Sequence, residues 1–337
     1  MTEPILTIVV PCYNEEKVMK ETIGQLSVVL AKLIREELIH ARSKLLFVDD
    51  GSKDATWNLI GEVSKINPFL TGIKLARNVG HQRALLAGIL SAREYSDCVI
   101  SIDADLQDDI AVIRDFILKY QEGYDIVYGV RSKRDTDTFF KRTSAVWFYR
   151  FLHKAGVNIV HNHADYRLLS KRALDELSLY EERNVFLRGI IPLLGFRSTF
   201  VTYERKARFA GESKYPLKKM LSFAFDGITS FSITPIRWIT IIGMCVFLLS
   251  LVCGVYALGQ RFLGFTTPGW TSIVISIWLL GGIQLMSIGL IGEYIGKMYV
   301  EVKQRPRYTI ETDLYSRQIQ TQEWSVSSSQ EEQEKTS

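Results

Sequence analysis

Between Ile239 and Gly292 the chain carries a single charged residue, Arg261. Two stretches inside it, about 239–258 and 273–292, each reach the ~20 apolar residues that match the hydrocarbon core of a bilayer. Both are apolar on every face, whereas a helix lying on a soluble core shows a polar side. A buried helical hairpin of a globular domain is the competing reading. The segment Gly264-Phe265-Thr266-Thr267-Pro268-Gly269 between them holds turn formers and reads as a short connection. Arg237, Lys218, Lys219 and the basic cluster from Arg205 to Lys214 precede the first stretch, and Lys297, Lys303, Arg305 and Arg307 follow the second. The positive-inside rule then predicts a cell-membrane protein with two spans, both termini cytoplasmic and the loop outside.

The rest of the chain is different. Of its 337 residues 23% are charged, yet the mean hydropathy is +0.06, which implies a polar domain joined to a very apolar one. A net charge of +4 gives no polybasic character, so nucleic acid is not an expected partner. Met1-Thr2-Glu3-Pro4 leads straight into a strand pattern, with no signal peptide expected. Cys12, Cys98, Cys245 and Cys253 form no Cys-x-x-Cys pair and read as small apolar residues.

Residues 5–130 alternate strand and helix patterns. Candidate strands are Ile5–Val10, Lys44–Val48, Thr71–Leu75, Cys98–Ile102 and Asp125–Val130, and helical periodicity fills Glu15–Ile39, Asp54–Ile66, Gly80–Glu94 and Ile110–Gln121. This order predicts an α/β fold, a mainly parallel sheet with helices on both faces. In such sheets ligands sit outside the carboxyl ends of the strands. Every polar candidate follows a strand: Pro11-Cys12-Tyr13-Asn14-Glu15, Asp49-Asp50-Gly51-Ser52, Arg77-Asn78 and Asp103-Ala104-Asp105. Two carboxylates spaced i, i+2 past a strand end can turn to one point and offer hard oxygen ligands to Mg2+ or Mn2+, which would neutralise a departing diphosphate. No Gly-x-Gly-x-x-Gly follows the first strand and no Walker loop occurs, which counts against dehydrogenases and P-loop enzymes.

Beyond residue 130, the stretches 139–156 and 217–233 interleave aromatic and basic residues and read as amphipathic helices at a membrane surface, or else as core helices packed on the sheet. The tail from Ser316 is polar and is expected to be disordered. The expected partition is a cytosolic catalytic domain over 1–210, a membrane-surface segment over 211–236, a helix pair over 237–300 and a cytosolic tail over 301–337.

Val9-Val10-Pro11-Cys12-Tyr13-Asn14-Glu15, Val48-Asp49-Asp50-Gly51-Ser52-Lys53-Asp54-Ala55-Thr56 and Asp103-Ala104-Asp105-Leu106-Gln107 together resemble inverting nucleotide-sugar transferases of family 2, with a GT-A Rossmann-like fold. Arg77-Asn78-x-Gly80, Gln82-x-Ala84-Leu85, Ala164-Asp165-Tyr166-Arg167-Leu168, Gly211-x-Ser213-Lys214-Tyr215 and the stretch Gly289 to Lys297 resemble the polyprenyl-phosphate subgroup, which includes dolichol-phosphate mannose synthases and bactoprenol glucosyltransferases. The C-terminal helix pair is similar to the bactoprenol type. The resemblance implies transfer of a hexose, glucose or N-acetylglucosamine, from a UDP-sugar to undecaprenyl phosphate for cell-envelope glycosylation. It implies a homo-oligomer, and a flippase and a downstream glycosyltransferase as partners. It implies a nucleotide-sugar pocket of Pro11, Tyr13, Glu15, Asp50, Arg77, Asp103, Ala104, Asp105 and Gln107, with the metal on Asp103, Asp105 and Gln107. Asp49 and Asp54 read as a turn residue and a helix N-cap.

Asp165 carries the mechanistic question. A lipid phosphate has its second pKa near about 6 and needs little base catalysis, so orientation of the sugar is favoured over proton abstraction, with a structural salt bridge to Arg167 as the third reading. Arg131, Arg142, Arg208 and Lys214 are the candidates for the acceptor phosphate, Arg131 first because it ends a strand at the same edge. The alternatives are a GDP-mannose-dependent mannose synthase, a processive polysaccharide synthase (Thr234-Pro235-Ile236-Arg237-Trp238 has Thr where Gln-x-x-Arg-Trp has Gln) and a non-catalytic scaffold.

Overall fold

The computed structural model describes residues 3–131, 163–204, 234–262 and 269–319. The expected amphipathic segments at 139–156 and 217–233, with Arg142, Arg208 and Lys214, lie outside them, as does most of the 264–269 connection.

Mostly apolar segments, buried along nearly their whole length, make the first four strands, β1 (Leu6–Cys12), β2 (Lys44–Asp49), β3 (Leu70–Leu75) and β4 (Cys98–Ser101), and β5 (Ile126–Arg131) follows. Helices α1 (Glu16–Arg35), α2 (Thr56–Val63), α3 (His81–Arg93) and α4 (Ile113–Gln121) separate them. All nine lie within a few residues of the expected spans. Three strands were not expected: β6 (His163–Ser170), β7 (Ser198–Tyr203) and β8 (Ile310–Asp313). Helices α5 (Lys171–Ser178) and α6 (Leu187–Leu193) lie between β6 and β7.

The eight strands form one sheet in the order β7-β5-β6-β4-β1-β2-β3-β8. β1 pairs in parallel with β2 and β4, β2 with β3, and β5 with β7; β6 and β8 run antiparallel to their neighbours. The sheet is therefore mixed with a parallel centre, and the reversed strand sets the site. Because β6 opposes β4, its start lies at the edge where the parallel strands end.

Side chains alternate across the sheet. Leu6, Ile8 and Val10 join Met19, Leu26 and Leu30 of α1 and Phe116 of α4 in one core. On the other face α3 approaches so closely that a Cβ on Gly88 would meet Val9 Cγ1 at 2.4 Å. Cys12 and Cys98 are buried free thiols, and Cys12 Sγ donates to the Val48 carbonyl at 3.4 Å.

The long helices α7 (Thr234–Phe262) and α8 (Trp270–Val302) belong to a second compact unit. Both expected spans are helical. At 29 and 33 residues they extend about 43 and 50 Å at 1.5 Å per residue. Among the described residues one stretch, Leu279–Val302, is long and apolar enough to cross a membrane.

After α8 the chain re-enters the first unit: residues 306–319 belong to the unit that holds the sheet, and β8 pairs with β3, Ile73 opposite Asp313. Residues 314–319 are helical. Tyr315 is buried, its hydroxyl 3.1 Å from Thr7 Oγ1, and its ring meets Tyr95 edge-on at 5.5 Å. A four-residue polar strand at a sheet edge has no hydropathy signature.

Candidate active site

β4 ends at Ser101, and Ile102 leads into Asp103-Ala104-Asp105. In the antiparallel register Ser101 faces Arg167, and two more steps place Asp103 beside Asp165. Ser101 Oγ donates to the Asp165 carbonyl at 2.5 Å, tying the two strands at this point. His81, the first residue of α3, stands between the carboxylates: its Nε2 lies 3.5 Å from Asp103 Oδ1 and 3.5 Å from Asp165 Oδ2.

Asp165 is buried and fully engaged. Arg167 Nη2 donates to Oδ1, Arg188 Nε to Oδ1 at 3.2 Å, Arg188 Nη2 to Oδ2 at 3.1 Å and Gln82 Nε2 to Oδ2 at 3.0 Å. An ionised carboxylate offers about four acceptor sites. Burial pushes the Asp165 carboxyl up, but the His81 contact and the Arg167 and Arg188 charges outweigh it and hold the group well below the usual carboxylate range. The surrounding cations thus favour its ionised form, and four donors from the described residues engage its two oxygens.

Asp103 is the opposite case. Burial first, then the charges of Asp165, Asp108 and Asp105, push its carboxyl up to about 6, against the opposing charge of His81. Asp105 lies partly exposed beside it and accepts the Gln107 backbone N–H at 3.2 Å. A cation would favour the ionised form of such a carboxylate, and two hard oxygen donors suit Mg2+ or Mn2+. No group of three or more His, Cys, Asp or Glu side chains is placed to hold a metal among the described residues. Asp103 and Asp105 would therefore hold the ion with waters and a substrate's phosphates completing its shell. Gln107, the third expected ligand, is buried.

The nucleoside candidates occupy the ends of β1 to β3. Tyr13 and Arg77 are exposed, Glu15 is half-buried and Pro11 and Ala104 are buried. Asp50 is buried and clamps the loop after β3, accepting Val79 N–H at 2.7 Å and Gly80 N–H at 2.9 Å; burial pushes its carboxyl up despite these bonds. Gly51 has φ +67, and a Cβ there would meet the Arg77 carbonyl carbon at 2.7 Å. Asp49 accepts the Ser52 N–H at 3.3 Å, the expected turn role. Asp54 accepts both the Thr56 and Glu16 N–H groups, at 3.0 and 3.2 Å, so it serves the starts of two helices.

Arg131 is at the expected edge, and it is not idle. Its Nη2 donates to the buried Asp108 at 3.1 Å, and Tyr203 Oη donates to the same oxygen at 2.5 Å. Arg131 Nε is buried with no hydrogen-bond partner among the described residues.

The sequence reading did not single out His81, Arg188 or Asp108. Gln82 was quoted only within a motif. Their roles come from proximity between β4, α3, β6 and α6, and nothing local in the sequence announces it.

A sequence profile described as "Glycosyl transferase family 2" matches residues 7–178. An uncharacterized glycosyltransferase of Bacillus subtilis, YkoT, is 62% identical over 318 residues, 94% of each chain. A prophage-derived bactoprenol glucosyl transferase of Shigella flexneri is 40% identical over 309 residues, covering 90% of this chain and 97% of that one. Among solved structures, glucosyl-3-phosphoglycerate synthase from Mycobacterium tuberculosis aligns with a TM-score of 0.44 at 16% identity, over 67% of this chain and 76% of that one.

Proposed function

The chain belongs to glycosyl transferase family 2, and from that premise we propose that it moves a hexose from a UDP-sugar to undecaprenyl phosphate, with inversion, at the cytoplasmic face of a membrane. The observation that carries the reading is the meeting at one sheet edge of Asp103, past the end of β4, and Asp165 of β6, with His81 Nε2 3.5 Å from a carboxylate oxygen of each. The likeness to proteins named bactoprenol glucosyl transferases supports the acceptor class.

When bound to Asp103 and Asp105, Mg2+ or Mn2+ would neutralise charge on the departing nucleoside diphosphate. Tyr13, Glu15, Asp50 and Arg77 would line the nucleoside pocket. Arg131, fixed by Asp108 and Tyr203, would meet the acceptor phosphate, with Arg142, Arg208 and Lys214 as further candidates. The acceptor phosphate is already ionised near neutrality and serves as its own nucleophile. Asp165, with its acceptor sites filled, fixes the cations around the sugar and takes no proton. The exposed apolar side chains of α7 and α8, such as Leu248, Val252, Ile277 and Leu285, support a two-helix membrane anchor. The lipid-linked sugar would pass to a flippase and a second glycosyltransferase, and the enzyme would work as a homo-oligomer.

The test is a donor panel: purified protein, undecaprenyl phosphate, Mg2+ or Mn2+, and UDP-glucose, UDP-N-acetylglucosamine and GDP-mannose, with mass spectrometry of the lipid. A hexosyl or N-acetylhexosaminyl phospholipid from a UDP-sugar is expected. Turnover of GDP-mannose alone would replace the donor assignment, and an unmodified lipid under every condition would remove the reading.

A further inference from the structure

Arg188 is held from one edge only. Nε and Nη2 are committed to Asp165, while Nη1 has no partner among the described residues, and the side chain is 35% exposed. A guanidinium is a rigid planar fork, so with one edge on a carboxylate its remaining N–H groups point away. Neutralising Asp165 does not require this residue, because the wholly buried Arg167 already pairs with Oδ1. Two guanidinium groups thus share the one Asp165 carboxylate.

The mounting is rigid. Gln82 joins both partners, donating to Asp165 and accepting the Leu187 N–H at 3.2 Å, and Arg167 Nη1 donates to the Leu187 carbonyl at 3.5 Å. The residue immediately before Arg188 is thus fixed through both backbone groups. Asp103 and Arg131 are close enough for their charges to act on Arg188. A preorganised cation with free donors beside a phosphate site gains most from an anion.

We propose that Arg188 binds a substrate phosphate oxygen through Nη1, with Asp165 as the group that positions it. The inference rests on the glycosyl-transfer reading for the identity of the phosphate, which belongs either to the nucleoside diphosphate or to the phosphorylated acceptor. Lysine at this position keeps a charge for Asp165 but loses the fork.

The experiment compares wild type with Arg188→Lys and Arg188→Gln in the full-length protein. It reads thermal stability, calorimetric binding of UDP and of inorganic pyrophosphate with Mg2+, and the KM for each substrate. Arg188→Lys is expected to melt close to wild type and to lose at least about tenfold in one step. Weaker UDP and pyrophosphate binding identifies the diphosphate; unchanged UDP binding with a raised acceptor KM identifies the acceptor phosphate. Arg188→Gln serves the same comparison if the lysine variant does not fold. A folded variant with unchanged UDP and pyrophosphate binding and both KM values intact overturns the assignment. The binding arm needs no turnover, so an inactive wild type would fail the glycosyl-transfer reading while still testing Arg188.

Discussion

Asp165 and Arg167 lie i, i+2 on β6, on the same face of the sheet, and Arg167 Nη2 donates to Asp165 Oδ1 although both residues are buried. Burial works against the Arg167 charge and lowers its pKa, with Asp165 opposing that shift. A buried pair of this kind loses far more when one partner is removed than it contributes as a pair. The salt bridge to Arg167 considered from the sequence is present.

Metal dependence should run through the neighbouring carboxylates. Asp105→Ala and Asp103→Ala are each expected to abolish transfer, and chelated wild type should recover with Mg2+ or Mn2+. Removing a raised carboxylate from an acidic cluster relieves repulsion, so Asp103→Ala should melt no lower than wild type while losing Mn2+ affinity by calorimetry. Full turnover in chelator would refute the assignment.

Gly51 tests the link between fold and nucleoside pocket. Alanine there must hold φ +67 and place its Cβ against the backbone of Arg77 and Asn78. The backbone strain alone costs roughly 1–3 kcal/mol. Gly51→Ala should therefore melt lower and, by displacing Arg77, raise the donor KM more than the acceptor KM. Equal effects on both would separate Arg77 from the donor.

The central strands were legible because strands buried on both faces read as nearly continuous apolar runs, as in Leu6–Val10, where Thr7 is the one polar residue, and Leu45–Val48. β6 was not, since Asp165 and Arg167 interrupt its pattern with charges that only tertiary pairing satisfies. β8 is polar and borders solvent. In the site, Asp103 and Asp105 were visible from spacing after a strand. The donors to Asp165 were not: Gln82 lies 83 residues before it and Arg188 lies 23 after it.

The membrane orientation has a direct check. In a variant lacking the four native cysteines, a cysteine at Thr266 should react with an impermeant thiol reagent in intact cells, and one beyond Ser316 should not. Reaction of the tail but not of the loop would reverse the charge argument.

Tyr315 should fasten the returning C-terminal segment. Tyr315→Phe removes the hydroxyl contacts to Thr7 and Ser96, at 3.1 and 3.4 Å, and is expected to lower stability by about 1 kcal/mol. Tyr315→Ala also empties a buried ring site and should lose about 3–5 kcal/mol. Hydrogen exchange at Ala76, whose N–H donates to the Thr309 carbonyl at 2.9 Å, should quicken in the alanine variant. Unchanged exchange would mean that β8 is held without Tyr315.

Asp165→Asn separates an orienting carboxylate from a base. Asparagine keeps one acceptor oxygen but turns an amide toward donors from Arg188, Gln82 or Arg167, and it removes the carboxylate with which both guanidinium groups pair. A depressed carboxyl stabilises the fold fully above its unfolded pKa of about 3.9, and that contribution fades only as the pH falls toward the still lower folded value. The variant should therefore lose stability throughout the neutral range, by roughly 3–5 kcal/mol, the cost of stranding a buried charge. The same depression means that Asp165 does not titrate between pH 5 and 8. Wild-type activity should rise through the acceptor phosphate's ionisation near about pH 6. The asparagine variant, assayed below its lowered melting temperature, should keep that rise with a reduced plateau. A general base would instead contribute about 10²–10⁴-fold and carry the pH dependence with it. Loss of the rise in the variant, with the lipid phosphate still titrating, would identify the carboxylate as the titrating base and overturn the orienting role.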